Sequence, residues 1–158
     1  MLLRISFFLA ILFVVSCIKP PEYPDIPELE LLGLSTDTMR QSSLNEDSVV
    51  VFLSFTDGDG NIGSDDSLNV FVTDLRDGFL AHRFRMPKIP PEGANNGITA
   101  ELTITVYTTC CVYDNGDPPC TPSELVPTNT VSYGIYITDN DGNESNVVET
   151  PLITLKCD

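Results

Sequence analysis

Val49-Val50-Val51-Phe52-Leu53-Ser54-Phe55 is the stretch of sequence that decides the fold. Its β-branched and aromatic residues favour extended backbone, and its length is that of a strand rather than a helix. Because apolar residues occupy successive positions, the stretch predicts a central strand that is covered on both faces. Elsewhere in the chain apolar residues recur with period two between turn residues, a pattern typical of all-β sandwiches and barrels.

The period-two segments predict seven strands within residues 28–158, and no segment has the period of a helix. In the fifth segment Leu102, Ile104 and Val106 alternate with polar residues, so one face of that strand should meet solvent. Seven short strands in a chain of this length predict an immunoglobulin-like sandwich of two packed sheets. The strands are expected at 28–36, 48–56, 68–74, 79–86, 97–112, 130–138 and 147–157.

Residues 1–16 have the organisation of a secretory signal peptide. Arg4 supplies a positive charge, and residues 5–15 are apolar apart from Ser6. This run is too short to span a bilayer, which takes about 20 apolar residues. Val14-Val15-Ser16-Cys17 resembles the lipobox of bacterial lipoproteins, in which the cysteine sulfur takes a diacylglyceryl group before cleavage. The resemblance implies that Cys17 is the lipidated first residue of the mature chain.

Residues 17–27 are expected to form a lipidated tether between the membrane and a single domain at 28–158. Prolines at 20, 21, 24 and 27 favour extended chain, which at about 3.1 Å per residue would hold the domain roughly 20–30 Å from the lipid. The first expected partner is therefore a membrane, reached through the lipid anchor. The expected location is the cell envelope, at the outer membrane in preference to the inner membrane. The sequence does not decide between the periplasmic face and the cell surface.

The mature chain is strongly acidic. Removal of residues 1–16 takes one Arg and no acid, which leaves 7 Lys+Arg against 23 Asp+Glu and a formal net charge of −16. Phosphate backbones repel such a surface, so the charge excludes nucleic acid as a partner. Cations and basic partners suit this acidic surface better. The charge does not decide whether the partner of the domain is a protein or a glycan.

Two acidic segments repeat one another. Residues 56–61 and 138–143 are identical at five of six positions, and each directly follows a predicted strand. In an up-and-down arrangement these two strands run the same way, so both loops should emerge at one end of the sandwich. Calcium takes six to eight oxygen ligands, which alternating Asp and Asn on a glycine-bent loop can supply. The expected calcium ligands are Asp57, Asp59, Asn61, the carbonyl of Gly63, Asp65, Asp139 and Asp141.

The spacing is not that of an EF-hand. Ile62 stands where the EF-hand loop has its invariant Gly, and Leu68 stands where it has a bidentate Glu. The alternative to a calcium site is a pair of tight turns, since Asp, Asn and Gly tolerate left-handed backbone angles. Turns explain residues 139–143 about as well as calcium does, but a hairpin turn does not require four aspartates at 57, 59, 65 and 66.

The two acidic segments also carry a family resemblance. Residues 55–63 are Phe-Thr-Asp-Gly-Asp-Gly-Asn-Ile-Gly, and residues 137–146 have the form Ile-x-Asp-x-x-Gly-Asn-x-Ser-Asn. With a Cys-Cys pair followed by single cysteines, they resemble small predicted lipoproteins of the Bacteroidetes type that have immunoglobulin-like domains. The resemblance implies no established activity. Many of those proteins carry a basic residue in the second segment, where this chain has Asn140-Asp141 and is more acidic.

Four cysteines follow Cys17, and in an exported chain an even number favours disulfides. Adjacent residues lie only about 3.8 Å apart at Cα, below the usual disulfide range of about 4.4–6.8 Å, which disfavours a Cys110–Cys111 bond. Strand alternation places Cys110 and Cys157 on inward faces. This parity predicts Cys110–Cys157 across the core and Cys111–Cys120 within a loop.

The sequence does not predict an enzyme. His82 is the only histidine and alternates with Leu80 and Phe84 in a predicted strand, so it has no place in a catalytic triad. The predicted function is a non-catalytic, membrane-anchored module that displays its loops to a partner. The alternative is a glycan-binding accessory lipoprotein of a polysaccharide-uptake system. That alternative expects an exposed aromatic platform, for which the outward candidates are Tyr107, Tyr113 and Tyr136.

Overall fold

The computed structural model describes residues 22–90 and 97–158, and every regular element in these ranges is a β-strand. The prediction of an all-β chain is therefore confirmed.

Among the described residues no helix is long and apolar enough to cross a membrane. The predicted signal peptide and Cys17 lie outside the described residues. The strands are β1 Glu28–Leu34, β2 Thr38–Arg40, β3 Ser48–Asp57, β4 Val70–Asp74, β5 Phe79–Phe84, β6 Ile98–Tyr107, β7 Thr128–Val131, β8 Tyr133–Ile137, β9 Val148–Glu149 and β10 Ile153–Lys156.

The strands form three hydrogen-bonded sheets, with the orders β1-β3-β6, β5-β4-β8-β9 and β2-β10-β7. Each of the seven predicted segments contains a strand. The predicted sixth segment holds β7 and β8, which Ser132 separates, and the seventh holds β9 and β10, which residues 150–152 separate. The second and third sheets thus share two chain segments and form one layer. The remaining strand, β2, pairs parallel to β10 and was not predicted.

The core lies between the two layers. Inward residues of β3 are buried at every second position, and they join one cluster with buried residues of β4, β8 and β10. Each such apolar side chain contributes about 1.5–3 kcal/mol relative to exposure. On the outer side of β3, Phe52 is 40% exposed, so the prediction that both faces are covered is wrong. The layers form a β-sandwich, and the finer assignment to an immunoglobulin-like fold stays a prediction.

The register of β3 defines two ends of the sandwich. It pairs antiparallel with β6 from Ser48↔Tyr107 to Asp57↔Ile98. At the Asp57 end, the loop after β3 meets the loop after β8 through an Ile62↔Asp139 bridge. The prediction that both acidic loops emerge at one end is confirmed. We call this end the acidic-loop end, and the opposite end, where β6 stops and the four cysteines follow, the cystine end.

The cysteines at the cystine end are paired differently from the prediction. Cys110 bonds Cys120, and Cys111 bonds Cys157, with Cα–Cα distances of 4.6 and 6.0 Å. The predicted Cys110–Cys157 and Cys111–Cys120 pairing was wrong because β6 ends at Tyr107, so strand alternation does not reach residue 110. Cys111 is the residue that enters the core, where it is fully buried together with Cys157.

The two disulfides should differ in their contribution to stability. In the chain-entropy model the bond that closes a longer loop stabilises more: roughly 4 kcal/mol for Cys111–Cys157 and roughly 3 kcal/mol for Cys110–Cys120. We expect the double variant Cys111→Ala/Cys157→Ala to lose more free energy of unfolding than Cys110→Ala/Cys120→Ala. Denaturant titration of both variants measures the difference. Stepwise reduction and alkylation followed by fragment sequencing that assigned a Cys110–Cys157 bond would contradict the pairing.

Candidate metal centre

Asp57 is a buried carboxylate without a hydrogen-bond partner. It is the last residue of β3 and continues the inward alternation of that strand, which explains why an acidic side chain enters the interior. Its side chain is fully buried, yet neither carboxylate oxygen makes a hydrogen bond. Buried charged groups are normally paired, hydrogen-bonded or bound to a metal, because desolvation is otherwise costly.

Two further aspartates converge on Asp57 from the two acidic loops. One carboxylate oxygen from each of Asp57, Asp59 and Asp139 lies within 4.8 Å of the other two. Asp139 is buried and Asp59 is half-buried. Nearby in the first loop, the side-chain oxygen of Asn61 is a second buried acceptor without a partner. We refer to Asp57, Asp59, Asn61 and Asp139 as the oxygen cluster.

The electrostatics of the oxygen cluster favour a bound cation. The pKa of Asp57 is raised from 3.8 to about 6, chiefly by burial and further by the neighbouring Asp59 and Asp139 carboxylates. The amides of Asn61 and Ile62 offset part of this rise, although neither makes a hydrogen bond of ordinary geometry to Asp57. A divalent cation would lower the pKa of Asp57 again, since it favours the ionised form of every carboxylate that it contacts.

Turn chemistry accounts for part of the cluster. Asp139 Oδ1 accepts the amides of Asp141 and Asn143 at 2.9 and 2.8 Å, and its Oδ2 accepts the side-chain amide of Asn143 at 2.7 Å. Asp59 similarly accepts the side-chain amide of Asn61 at 2.9 Å. Such contacts are typical of Asx turns. They explain the positions of Asp59 and Asp139, but they leave the unpaired Asp57 unexplained.

Asn140 joins the two loops. Its side-chain amide donates to the carbonyl oxygens of Gly63, at 2.9 Å, and Asn61. The side-chain amide of Asn61 returns a hydrogen bond to the Asp141 carboxylate at 3.0 Å. Asn140 therefore bridges the two loops through its side-chain amide. Its position in the second repeat was visible in the sequence, but its partners were not.

The predicted ligands fall into two groups. The structure brings Asp57, Asp59 and Asp139 together, and Asn61 is joined to them by its side-chain hydrogen bond to Asp59. Asp141 and Asp65 are exposed and do not belong to the group of three aspartates, although Asp141 accepts the side-chain amide of Asn61 at 3.0 Å. The Gly63 carbonyl accepts the side-chain amide of Asn140.

The chain turns away from the cluster before it reaches Asp65. Gly63 has a φ of +84°, and a Cβ there would approach the Pro87 carbonyl oxygen at 2.3 Å. The next residue, Ser64, donates its amide to the Met86 carbonyl at 2.9 Å. The segment after Gly63 is thereby bound to the chain that follows β5, and the Asp65 carbonyl accepts from Arg85 at 2.6 Å.

The aromatic candidates for a glycan platform lie in unlike environments. Tyr107 is 39% exposed, but Tyr113 is buried and donates its hydroxyl to the Thr121 carbonyl at 2.6 Å. Tyr136 is half-buried and stacks on Phe71, with ring centroids 4.9 Å apart. The prediction that Tyr113 points outward is wrong, because strand alternation stops at Tyr107. The three rings do not form one exposed surface.

His82 lies in β5, as predicted, among aromatic rings. Its ring lies 6.1 Å from Phe84 and 6.3 Å from Tyr107, measured between centroids. Burial lowers its pKa below the ordinary value, and a backbone hydrogen bond at Tyr107 opposes that shift only in part. A neutral, packed imidazole suits the edge of a sheet.

Comparisons with protein-family models, curated proteins and solved structures find no match for this chain.

The buried Asp57 should make stability depend on pH when calcium is chelated. The folded-state pKa of about 6 lies above the ordinary value, so the ionised form costs the folded state on the order of 3 kcal/mol. The cost is present above pH 6 and is lost as the pH falls towards 4. We therefore expect Asp57→Asn to be more stable than the parent protein in EDTA at pH 7, and the difference to shrink on acidification.

Urea unfolding at a series of pH values measures this difference, and the exposed Asp37→Asn serves as the matched control. Asp37→Asn should follow the parent protein at every pH. An Asp57→Asn protein that is destabilised in EDTA at pH 7, or that differs from the parent protein equally at all pH values, would contradict the account of Asp57.

Proposed function

We propose that the chain is a non-catalytic, membrane-anchored lipoprotein that displays a disulfide-stapled, calcium-stabilised β-sandwich as an interaction domain. The observation that carries the calcium part is Asp57, whose two buried carboxylate oxygens have no partner and face two more carboxylates. Calcium suits this donor set, because all of the donors are hard oxygens and calcium tolerates irregular coordination geometry. Four side chains supply part of the six to eight ligands that calcium takes, and water supplies the rest.

The cation would hold the acidic-loop end together. Asp57 and Asp59 belong to the loop that follows β3, and Asp139 belongs to the loop that follows β8, so the ligands come from both layers of the sandwich. A divalent cation also offsets two of the three negative charges and so relieves repulsion in a domain whose formal net charge is strongly negative. The cation therefore has a structural role in this proposal and activates no substrate.

The anchor and the compartment rest on the sequence. The signal-peptide pattern and the lipobox resemblance at Cys17 support export and lipidation, and two disulfides suit an oxidising compartment outside the cytoplasm. Placement in the cell envelope follows from the same features. The displayed partner is a protein in preference to a glycan, since Tyr107, Tyr113 and Tyr136 do not present a shared aromatic face.

Calcium should stabilise the domain. Extracellular calcium modules bind with dissociation constants of about 10⁻⁴–10⁻³ M, so a few millimolar calcium should add about 1–2 kcal/mol and raise Tm by about 2–8 °C. Magnesium should do less, because it demands octahedral geometry and dehydrates reluctantly. Differential scanning calorimetry in EDTA, calcium and magnesium measures the three cases.

Two matched variants locate the cation. Asp59→Asn removes a carboxylate of the oxygen cluster and should abolish the calcium response, whereas Asp65→Asn removes an exposed carboxylate outside it and should keep the response. Identical melting curves for the parent protein in EDTA and in calcium would refute the calcium proposal. Loss of the response in Asp65→Asn but not in Asp59→Asn would refute the ligand assignment.

Lipidation of Cys17 should determine where the chain is found. Several acyl chains anchor a protein stably, so the parent protein should fractionate with membranes and the Cys17→Ser variant should not. Mass spectrometry of the mature N-terminal peptide should find acyl groups on residue 17. A parent protein that is released to the soluble fraction without acyl groups would argue for an ordinary secreted domain.

A further inference from the structure

The end of the predicted tether is bound to the acidic-loop end of the domain. The amide of Gly58 donates to the carbonyl of Pro24 at 2.8 Å. Tyr23 is half-buried and Pro27 is buried. The sequence predicts an extended spacer through residue 27, but Tyr23 and Pro24 contact the domain and Pro27 is buried.

Two glycines make room for this docked segment. A Cβ on Gly58 would lie 2.3 Å from the Tyr23 carbonyl oxygen and 2.6 Å from the Pro24 carbonyl oxygen, and a Cβ on Gly97 would lie 3.3 Å from the Tyr23 ring. Gly58 is not among the residues with positive φ. Glycine is therefore needed at position 58 for close approach of the tether and not for its backbone angles.

Asn146 fixes the chain where it leaves the docked segment and enters β1. Its side chain accepts the amide of Leu29 at 2.8 Å and donates to the carbonyl of Leu29 at 2.9 Å. The direction of β1 then carries the chain away from the acidic-loop end, because Glu28 is paired with Thr56 and Leu34 with Val51. The polypeptide thus enters the domain beside the oxygen cluster.

Docking and cation binding share one short piece of backbone. Gly58, whose amide donates to the tether, lies between Asp57 and Asp59 in the sequence. Both of those carboxylates belong to the oxygen cluster. A cation that fixes the backbone of residues 57–59 therefore also fixes the Gly58 amide, which donates to Pro24. By thermodynamic linkage, a docked tether must strengthen cation binding by the same factor as the cation strengthens docking.

Chain length limits how far this end can lie from a lipid anchor. Cys17 is six residues before Tyr23, and six extended residues reach about 20 Å. The ten residues of β3 that separate the two ends extend over about 33 Å. The acidic-loop end is therefore the nearer end to any lipid carried on Cys17.

We propose that the acidic-loop end is the surface of the domain that faces the lipid headgroups, and that the docked tether and the bound cation hold it in that orientation. This inference rests on the proposed lipidation of Cys17. Its consequence is that the cystine end is directed away from the membrane and is the surface available to a displayed partner, whereas the acidic loops serve the contact with the lipid surface.

Energy transfer from single tryptophans tests the orientation, since the chain contains no Trp. Leu68 and Leu125 are exposed at the acidic-loop end and the cystine end, respectively, so Leu68→Trp and Leu125→Trp are matched donors. The exported full-length proteins are reconstituted with phosphatidylcholine vesicles that carry a dansyl headgroup acceptor. We expect greater transfer in the Leu68→Trp protein, and a decrease on addition of EDTA.

Addition of Gly58→Ala to the Leu68→Trp protein should lower the transfer in calcium, because the new methyl group displaces the tether. It should also weaken calcium binding about two- to tenfold, the effect of losing one hydrogen bond. Tyr23→Ala, which leaves the loop sequence intact, should change both quantities in the same direction. This second variant keeps the test valid if Gly58→Ala does not fold.

The outcomes separate the two proposals. Vesicle-bound proteins with equal transfer from both donors, or greater transfer from the Leu125→Trp protein, overturn the orientation and leave the anchor in place. Failure of both proteins to sediment with vesicles overturns the anchor, and this inference with it. Full calcium affinity and unchanged transfer in both Gly58→Ala and Tyr23→Ala overturn the coupling between tether and cation.

Discussion

A buried carboxylate with no hydrogen-bond partner is the constraint on which the acidic-loop end depends. Asp57 is buried by the same strand alternation that buries Val49, Val51, Leu53 and Phe55, so the core cannot be built with β3 in register unless this acid also points inward. A charge in that position destabilises the folded state unless something offsets it. The neighbouring Asp59 and Asp139 increase the cost in the absence of a cation and lower it in the presence of one.

The two ends of the sandwich are held by different chemistry. At the cystine end the covalent bonds act with a buried amide: Gln41 accepts the amide of Cys111 at 3.0 Å and donates to the carbonyl of Cys157 at 2.8 Å. At the acidic-loop end no covalent bond joins the described loops, and Asn140 and Asn61 provide the cross-loop hydrogen bonds. The two disulfides hold the first end whatever the cation concentration, whereas under the calcium proposal the order of the second end would depend on the cation.

Sequence reasoning succeeded where a pattern is local and failed where the chain leaves that pattern. The period-two alternation of apolar residues located every major strand. The two acidic loops were predicted to lie together because β3 and β8, which precede them, run in the same direction. The same inward–outward alternation predicted the wrong disulfide pairing and an outward Tyr113, because it was extended beyond the end of β6 at Tyr107. β2 is three residues long and pairs parallel to a distant strand, so it has little local signal. Spacing alone also could not show that Gly63 directs the chain away before Asp65, or that Pro24 docks on Gly58.

A crystal structure of the protein grown in calcium tests most directly whether the oxygen cluster binds this cation. We expect an anomalous difference peak between Asp57, Asp59 and Asp139, with carboxylate oxygens at about 2.3–2.6 Å from its centre. A map at high resolution without such a peak, in which Asp57 is protonated or bonded only to water or protein donors, would contradict this expectation.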